Sequence, residues 1–199
     1  MPRTARPTVL LASLAAIALP AAAHAGDRPE QLVIVSFDGA HDNAMWDRSL
    51  KMAEKTGAHF TYFLSCTFLM SKAERKSYKA PGKSAGASNI GFAPEHADVA
   101  ARLGHIWTAH QAGHEMASHG CGHFDGGDWS EAQWSAEFDQ FDHALKTAWQ
   151  TIGAKDAEPA GWQDLAANGI KGFRAPYLSA GDGLYEALAE HGFAYDASG

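Results

Sequence analysis

The sequence predicts an α/β fold around a mostly parallel sheet, and three observations predict it. Short strand-like runs, β-branched or aromatic in most and simply apolar at 115–118, recur at 31–37, 59–64, 115–118, 169–173 and 192–196. Segments with helical spacing of apolar residues separate them, which implies right-handed strand–helix–strand units. The runs end on residues able to do chemistry: Asp38, then Ser65 and Cys66, then His119, Arg174 and Asp196. In parallel sheets, sites gather beyond the carboxyl ends of the strands, so residues far apart in sequence would converge on one rim.

The elements follow in order. Gln31-Leu32-Val33-Ile34-Val35-Ser36-Phe37 reads as a buried strand stopping at the Asp38-Gly39 turn. Residues 44–56 read as a helix, with Met45, Leu50 and Met52 among charges and Gly57 as the stop. An aromatic second strand spans 59–64. Residues 67–94 are irregular, with Lys72, Arg75, Lys76, Lys79 and Lys83 before a Gly/Ser/Ala stretch. Loops of that length are functional or mobile; a solvated insertion is the expectation, ahead of a substrate lid. A helix over 95–112 places Val99, Leu103, Ile106 and His110 on one face. After the third strand comes the clearest helix. Ser130 to Gln133 forms a capping box, and Trp134, Phe138, Phe141, Leu145 and Trp149 repeat at helical spacing as core. A fourth strand, a helix over 183–190 and a fifth strand complete the series.

The 199 residues suffice for one domain with a real core. The N-terminus reads as a secretory signal peptide. Arg3 and Arg6 precede the apolar run 9–19, Pro20 breaks it, and Ala23-His24-Ala25 fits a cleavage site. Residues 1–25 are the expected signal peptide and 26–199 the mature chain, periplasmic or secreted; the alternative is an uncleaved anchor. No later run is long enough for a membrane span, so no anchor is expected after cleavage. Losing two arginines takes the formal charge from −7 to −9. Nucleic acid is excluded as a partner, because phosphate neutralisation needs a basic surface. A neutral polymer suits the chain better. Export would permit the two cysteines, Cys66 and Cys121, to pair, and each follows a strand-like run. A metal-ligand or nucleophile role for Cys121 is the weaker alternative.

The segment Gly113-His114-Glu115-Met116-Ala117-Ser118-His119-Gly120-Cys121-Gly122-His123 carries three histidines, the last two spaced H-x-x-x-H after an apolar run. Flanking glycines would let both imidazoles turn to one point. Two imidazoles and a carboxylate can hold a divalent ion with water in the open position. A second carboxylate can take the water's proton, an arginine beside it can aim it, and a backbone N–H near Pro176-Tyr177 can help bind an oxyanion. The reaction class is hydrolysis of an amide or ester. A covalent serine is disfavoured, since no G-x-S-x-G stands at a strand-to-helix elbow; Gly82 to Gly86 fits the pattern only within the irregular 67–94 segment.

From Leu32 onward the chain resembles the polysaccharide deacetylase family of carbohydrate esterases. Ser36-Phe37-Asp38-Gly39 resembles its T/S-F-D-D motif, and His119-Gly120-Cys121-Gly122-His123 its H-T/S-x-x-H. Arg174-Ala175-Pro176-Tyr177 matches R-x-P-Y, and Tyr195-Asp196-Ala197-Ser198 matches Y-D-x-S. The resemblance implies a distorted (β/α) barrel and a divalent metal, Zn²⁺ with Co²⁺ or Ni²⁺ as alternatives. It also implies an acetylated glycan as substrate: peptidoglycan, chitin-like or exopolysaccharide. By the same resemblance Asp38 is the general base, His119 and His123 are metal ligands, Arg174 orients the base, and Tyr177 assists the oxyanion through its backbone. His114 reads as structural.

Two departures follow. The family's second aspartate, a metal ligand, is replaced by Gly39. Asp42 is the expected substitute ligand, with His41 as a rival; alternatively Asp38 itself ligates and another group is the base. The family's later L-x-H motif, which supplies a general acid, does not follow the R-x-P-Y segment between Leu178 and Gly199. The expectation is an N-terminal part of such a barrel, C-terminally truncated. Gly39 and the missing acid favour a competing reading, a non-catalytic carbohydrate-binding or scaffold module on the same fold. A third reading changes the substrate to a small amide or a lipid-linked sugar.

Overall fold

Strands β1 (Ser36–Gly39), β2 (Thr61–Leu64), β3 (Glu115–Ser118), β4 (Gly172–Phe173) and β5 (Tyr195–Asp196) lie side by side in chain order, all parallel. The computed structural model describes residues 31–199, so the signal-peptide expectation for 1–25 lies outside the described residues. Register sets the two faces. Phe37, Tyr62 and Met116 are neighbours on one, and Asp38, Phe63 and Ala117 on the other, because alternate residues of a strand point oppositely. The first set packs under the helices. The second lines a concave face, and Arg174, next after β4, reaches over the Phe63 ring to Ser36 and Asp38 on β1. A sheet whose fourth strand touches its first in this way is a curled arc of a (β/α) barrel.

Helix α1 (Asn43–Thr56) ends at Gly57, where φ is 70°. Helix α2 (His96–Gln111) buries Val99, Leu103, Ile106 and Ala109, with Arg102 among them, while His110 is only half-buried. Helix α3 (Glu131–Thr151) starts on the expected capping box, Ser130 with Gln133. Its aromatic stripe joins two cores. Phe141, Leu145 and Trp149 belong to the main one. Trp134 and Phe138 pack with Phe173, Leu184 and Leu188 in a smaller one beneath α5 (Asp182–Glu190). Full burial of one such side chain contributes roughly 1.5–3 kcal/mol.

Three expectations change. The first strand covers Ser36–Gly39 rather than 31–37, and Leu32, Val33 and Ile34 are 84%, 71% and 80% exposed. Among the described residues β1 has a neighbour on one side only, and its ladder begins where Thr61 N–H donates to Val35 C=O. The fourth strand shortens to two residues, because the short helix α4 (Trp162–Asp164) continues as a wide helical turn through Gly169. Trp162, fully buried, donates its indole N–H to Leu145 C=O and fixes that turn on α3. The 67–94 insertion is not a solvated loop: Tyr78, Ala80 and Ala93 are buried, and Ser71 bridges to Ala93. Its apolar residues, hidden among lysines in the sequence, root it in the core. Among the described residues no helix is long and apolar enough to cross a membrane.

Candidate functional site on the strand rim

β1 and β2 carry Asp38 and Phe63 onto the concave face, and the chain leaving β4 carries Arg174. Its guanidinium lies 4.2 Å from the Phe63 ring centroid. Nη1 donates to Asp38 Oδ1 at 2.7 Å and Ser36 Oγ at 3.0 Å, and Nε donates to Ala197 C=O at 3.1 Å. Asp38 is exposed on its other side. This is an aimed carboxylate: a planar donor fixes one oxygen and leaves the other toward solvent.

His119 follows β3 and is buried. Its Nδ1 lies 2.7 Å from Arg174 C=O, which makes Nδ1 the N–H bearer and leaves the Nε2 lone pair free. Burial lowers its pKa; the carbonyl bond and the Asp38 charge pull the other way. His123 has a left-handed backbone (φ 54°), which turns its ring to 5.1 Å from that of His119. Tyr177 (φ 60°) sets its ring 4.8 Å from His123 and is 61% exposed. The structure thus gathers Asp38, His119, His123, Arg174 and Tyr177 on one rim.

Asp42 is placed differently. It is the N-cap of α1, and its Oδ1 accepts from Ala44 N–H at 2.8 Å and Met45 N–H at 3.4 Å. Its rival His41 packs its ring on Phe68 and gives its carbonyl to Arg102. Among the described residues, no three His, Cys, Asp or Glu side chains converge as a metal-holding group. Two imidazoles are present and a third protein ligand is not, so these residues do not fit the three-ligand centre expected from the sequence. The position that lacks it is Gly39, at φ 77°. A Cβ there would meet only Phe68 Cε2 at 3.6 Å and Ser65 Oγ at 3.9 Å. That Ser65 hydroxyl is buried without a partner among the described residues.

Behind the histidines lie the two cysteines whose pairing the sequence left open and a glutamate that it did not mark as functional. Cys66 and Cys121 form a disulfide, which joins the ends of adjacent strands β2 and β3 and removes Cys121 as ligand or nucleophile. The Glu137 carboxylate on α3 is buried and accepts from Cys121 N–H (2.9 Å), Gly122 N–H (3.3 Å) and the Tyr78 hydroxyl (3.0 Å). Burial raises its pKa and these donors oppose the rise. All of its partners are donors, so the pocket is built for the carboxylate. Thr67 Oγ1 donates to Cys121 C=O, and Asn89 bonds Gly122 C=O through its amide N–H and His123 C=O through Nδ2. The insertion is therefore a brace under the histidine loop. His114 is structural as expected: Nδ1 accepts Phe60 N–H at 3.0 Å.

No protein-family model and no curated protein matches the chain. Solved structures do. A CE4 family pseudoenzyme from Bacillus anthracis aligns over 84% of this chain and 43% of its own, at 13% identity and TM-score 0.52. A mutant of a CE4 family pseudoenzyme with restored enzymatic activity gives 84%, 44%, 14% and 0.51. A family 4 acetyl xylan esterase from Clostridium thermocellum, in complex with a cobalt ion, gives 79%, 54%, 15% and 0.48. The chain spans about half the length of the structures it matches, between 43% and 60% of them. This chain shares the fold of these CE4 family structures, as an arc of the distorted (β/α) barrel.

Proposed function

We propose that this chain acts on an acetylated glycan outside the cytoplasm, as a carbohydrate esterase that removes N- or O-acetyl groups. The observation that carries the reading is the Asp38–Arg174 pair, held at 2.7 Å on the rim beside His119. Asp38 takes a proton from the water that attacks the acetyl carbonyl. The C–N or C–O bond then breaks, acetate leaves, and the sugar amine or hydroxyl recovers the proton. Arg174 keeps the carboxylate aimed, and the Tyr177 backbone N–H is the candidate donor to the developing oxyanion. His119 and His123 present imidazole edges to the same space. No step is assigned to a metal, because the third ligand is lacking.

That lack favours a second reading, a glycan-binding module on the same fold. Acetate release from acetylated chitooligosaccharide, xylan and peptidoglycan fragments separates the two. The esterase reading expects release, falling about 10²- to 10⁴-fold in Asp38→Asn, the usual value of a positioned general base. Glycan binding without release, the same in Asp38→Asn, would establish the binding module instead.

A further inference from the structure

Arg102 is a buried charge that the proposed reaction does not use. It sits on α2 beside Val99, Leu103 and Ile106. Only one of its hydrogen bonds goes to a carboxylate, where Nη2 donates to Asp98 Oδ2 at 2.9 Å. The others go to backbone. Nε, at 3.0 Å, and Nη2 both donate to His41 C=O, and Nη1 donates to Phe68 C=O at 2.6 Å. We propose that Arg102 is a positioning residue for Asp38: it fixes the turn that carries the carboxylate, as Arg174 fixes the carboxylate itself. The inference rests on the reading of Asp38 as the base.

Three observations carry it. The first is which carbonyls are held. His41 lies three residues past Asp38, in the turn from β1 to α1, and Phe68 lies in the turn after β2. One guanidinium therefore ties two neighbouring rim turns together. A planar fork of five N–H donors can do this, and a compact ammonium cannot. The second is the shape of the held turn. Gly39 and Ala40 are both left-handed, at φ 77° and 52°. A residue with a Cβ stays in that region only where its surroundings over-determine it. The Trp46 indole N–H donates to Ala40 C=O at 3.0 Å, and Arg102 takes the next carbonyl along.

The third observation is that the clamp is itself held. Asn43, the first residue of α1, donates Nδ2 to Asp98 Oδ1 at 3.0 Å and to Asp98 C=O at 3.1 Å, which leaves Oδ2 for Arg102. The His41 ring packs on Phe68 at 4.4 Å between centroids, so the two tied turns also touch. Phe68 in turn walls the space beside Gly39. The same side chain thus sets the turn behind Asp38 and one wall of the gap next to it.

The test compares two variants of the full chain. Arg102→Lys keeps the positive charge and loses the fork. Asp98→Asn loses the ion pair but keeps an oxygen for Arg102, and Asn43 Oδ1, which has no partner among the described residues, can accept from the new amide. Indole hydrogen exchange, followed by NMR, reads the turn at Trp46 and the core at Trp162, whose indole is bonded to Leu145 C=O. Arg102→Lys is expected to speed exchange at Trp46 about tenfold relative to Trp162, as a local opening does. Its kcat for acetate release should fall about 10- to 100-fold with KM unchanged, the scale of a reacting group misplaced by about 1 Å. Asp98→Asn is expected to move neither. If Arg102→Lys does not fold, Arg102→Gln, which keeps an N–H for His41 C=O without burying an ammonium, replaces it. A merely structural charge would loosen the whole fold. The two indoles would then speed up together, or the two variants would lose alike, and either result would overturn the proposal. Exchange is read without turnover, so the two ideas fail separately. Selective loosening at Trp46 with no acetate release from the wild type keeps the clamp and removes the esterase. Acetate release that Arg102→Lys leaves unchanged keeps the esterase and removes the positioning role.

Discussion

At His119 the sequence, the strand and the chemistry coincide. The residue follows the last of β3, burial pushes its imidazole pKa down, and the Arg174 carbonyl decides which nitrogen carries the proton. The same carbonyl belongs to the residue that aims Asp38, so the imidazole and the carboxylate are positioned by one backbone unit. Gly39 is the complementary case. Space beside it is open and the buried Ser65 hydroxyl lacks a partner, which is a pocket suited to a carboxylate. Gly39→Asp is therefore predicted to tighten Zn²⁺ binding by more than about tenfold, since even outer-shell partners are worth that much. Equilibrium dialysis checks it, and an unchanged affinity would refute the vacancy. The left-handed backbone there costs about 1–2 kcal/mol of stability. Asp38, His119, His123, Arg174 and Tyr177 were legible because strand ends and spaced imidazoles leave marks in sequence. Asp42 misled because an aspartate just before a helix is also a preferred N-cap, and that competing use won. Glu137 and Arg102 had one weak signal each, a charge on the buried face of an otherwise apolar helix.

Among the elements, the loop between β3 and α3 owes its shape to neighbours on every side. The insertion supplies Tyr78 and Asn89, α3 supplies Glu137, and the Cys66–Cys121 bond pins it to the end of β2. The bond closes a segment of 55 residues, and cross-links of that length contribute roughly 2–4 kcal/mol. Replacing both cysteines with serine is predicted to lower unfolding free energy by that amount in denaturant titrations, and to lower acetate release with it. An unaltered midpoint and rate would show the brace sufficient alone. Helices α1, α2, α3 and α5 were readable to within a residue or two from periodicity and caps. The insertion was not, because its core-rooted residues lie among lysines and glycines, which carry no period. Strand ends were overcalled for a related reason. Apolar sequence predicts burial, but pairing needs a neighbour, and among the described residues 31–34 has none upstream of Thr61.

For the molecule as a whole, burial lowers the pKa of His105, His114 and His119. The sign follows from linkage. The unfolded imidazoles accept protons near pH 6.5 while the folded ones resist, so their contribution is full above that value and lost as pH falls through the folded pKa values. Glu137 works oppositely, its raised pKa weakening the fold as pH rises past the carboxylate range. The thermal midpoint is predicted to fall from pH 7 to pH 5, and His114→Gln, which retains an acceptor for Phe60 N–H, should flatten part of that slope. A midpoint that rises over the interval would contradict the assignment. The Arg174–Asp38 bond also has a bearing on timing. Its partners are 136 residues apart, and the guanidinium is completed by Ala197. Closing so long a loop comes late in folding, after local helices and neighbouring strands have formed. A chain emerging from a ribosome therefore carries both imidazoles well before Arg174 aims the Asp38 carboxylate, and the rim is assembled only once β5 has docked.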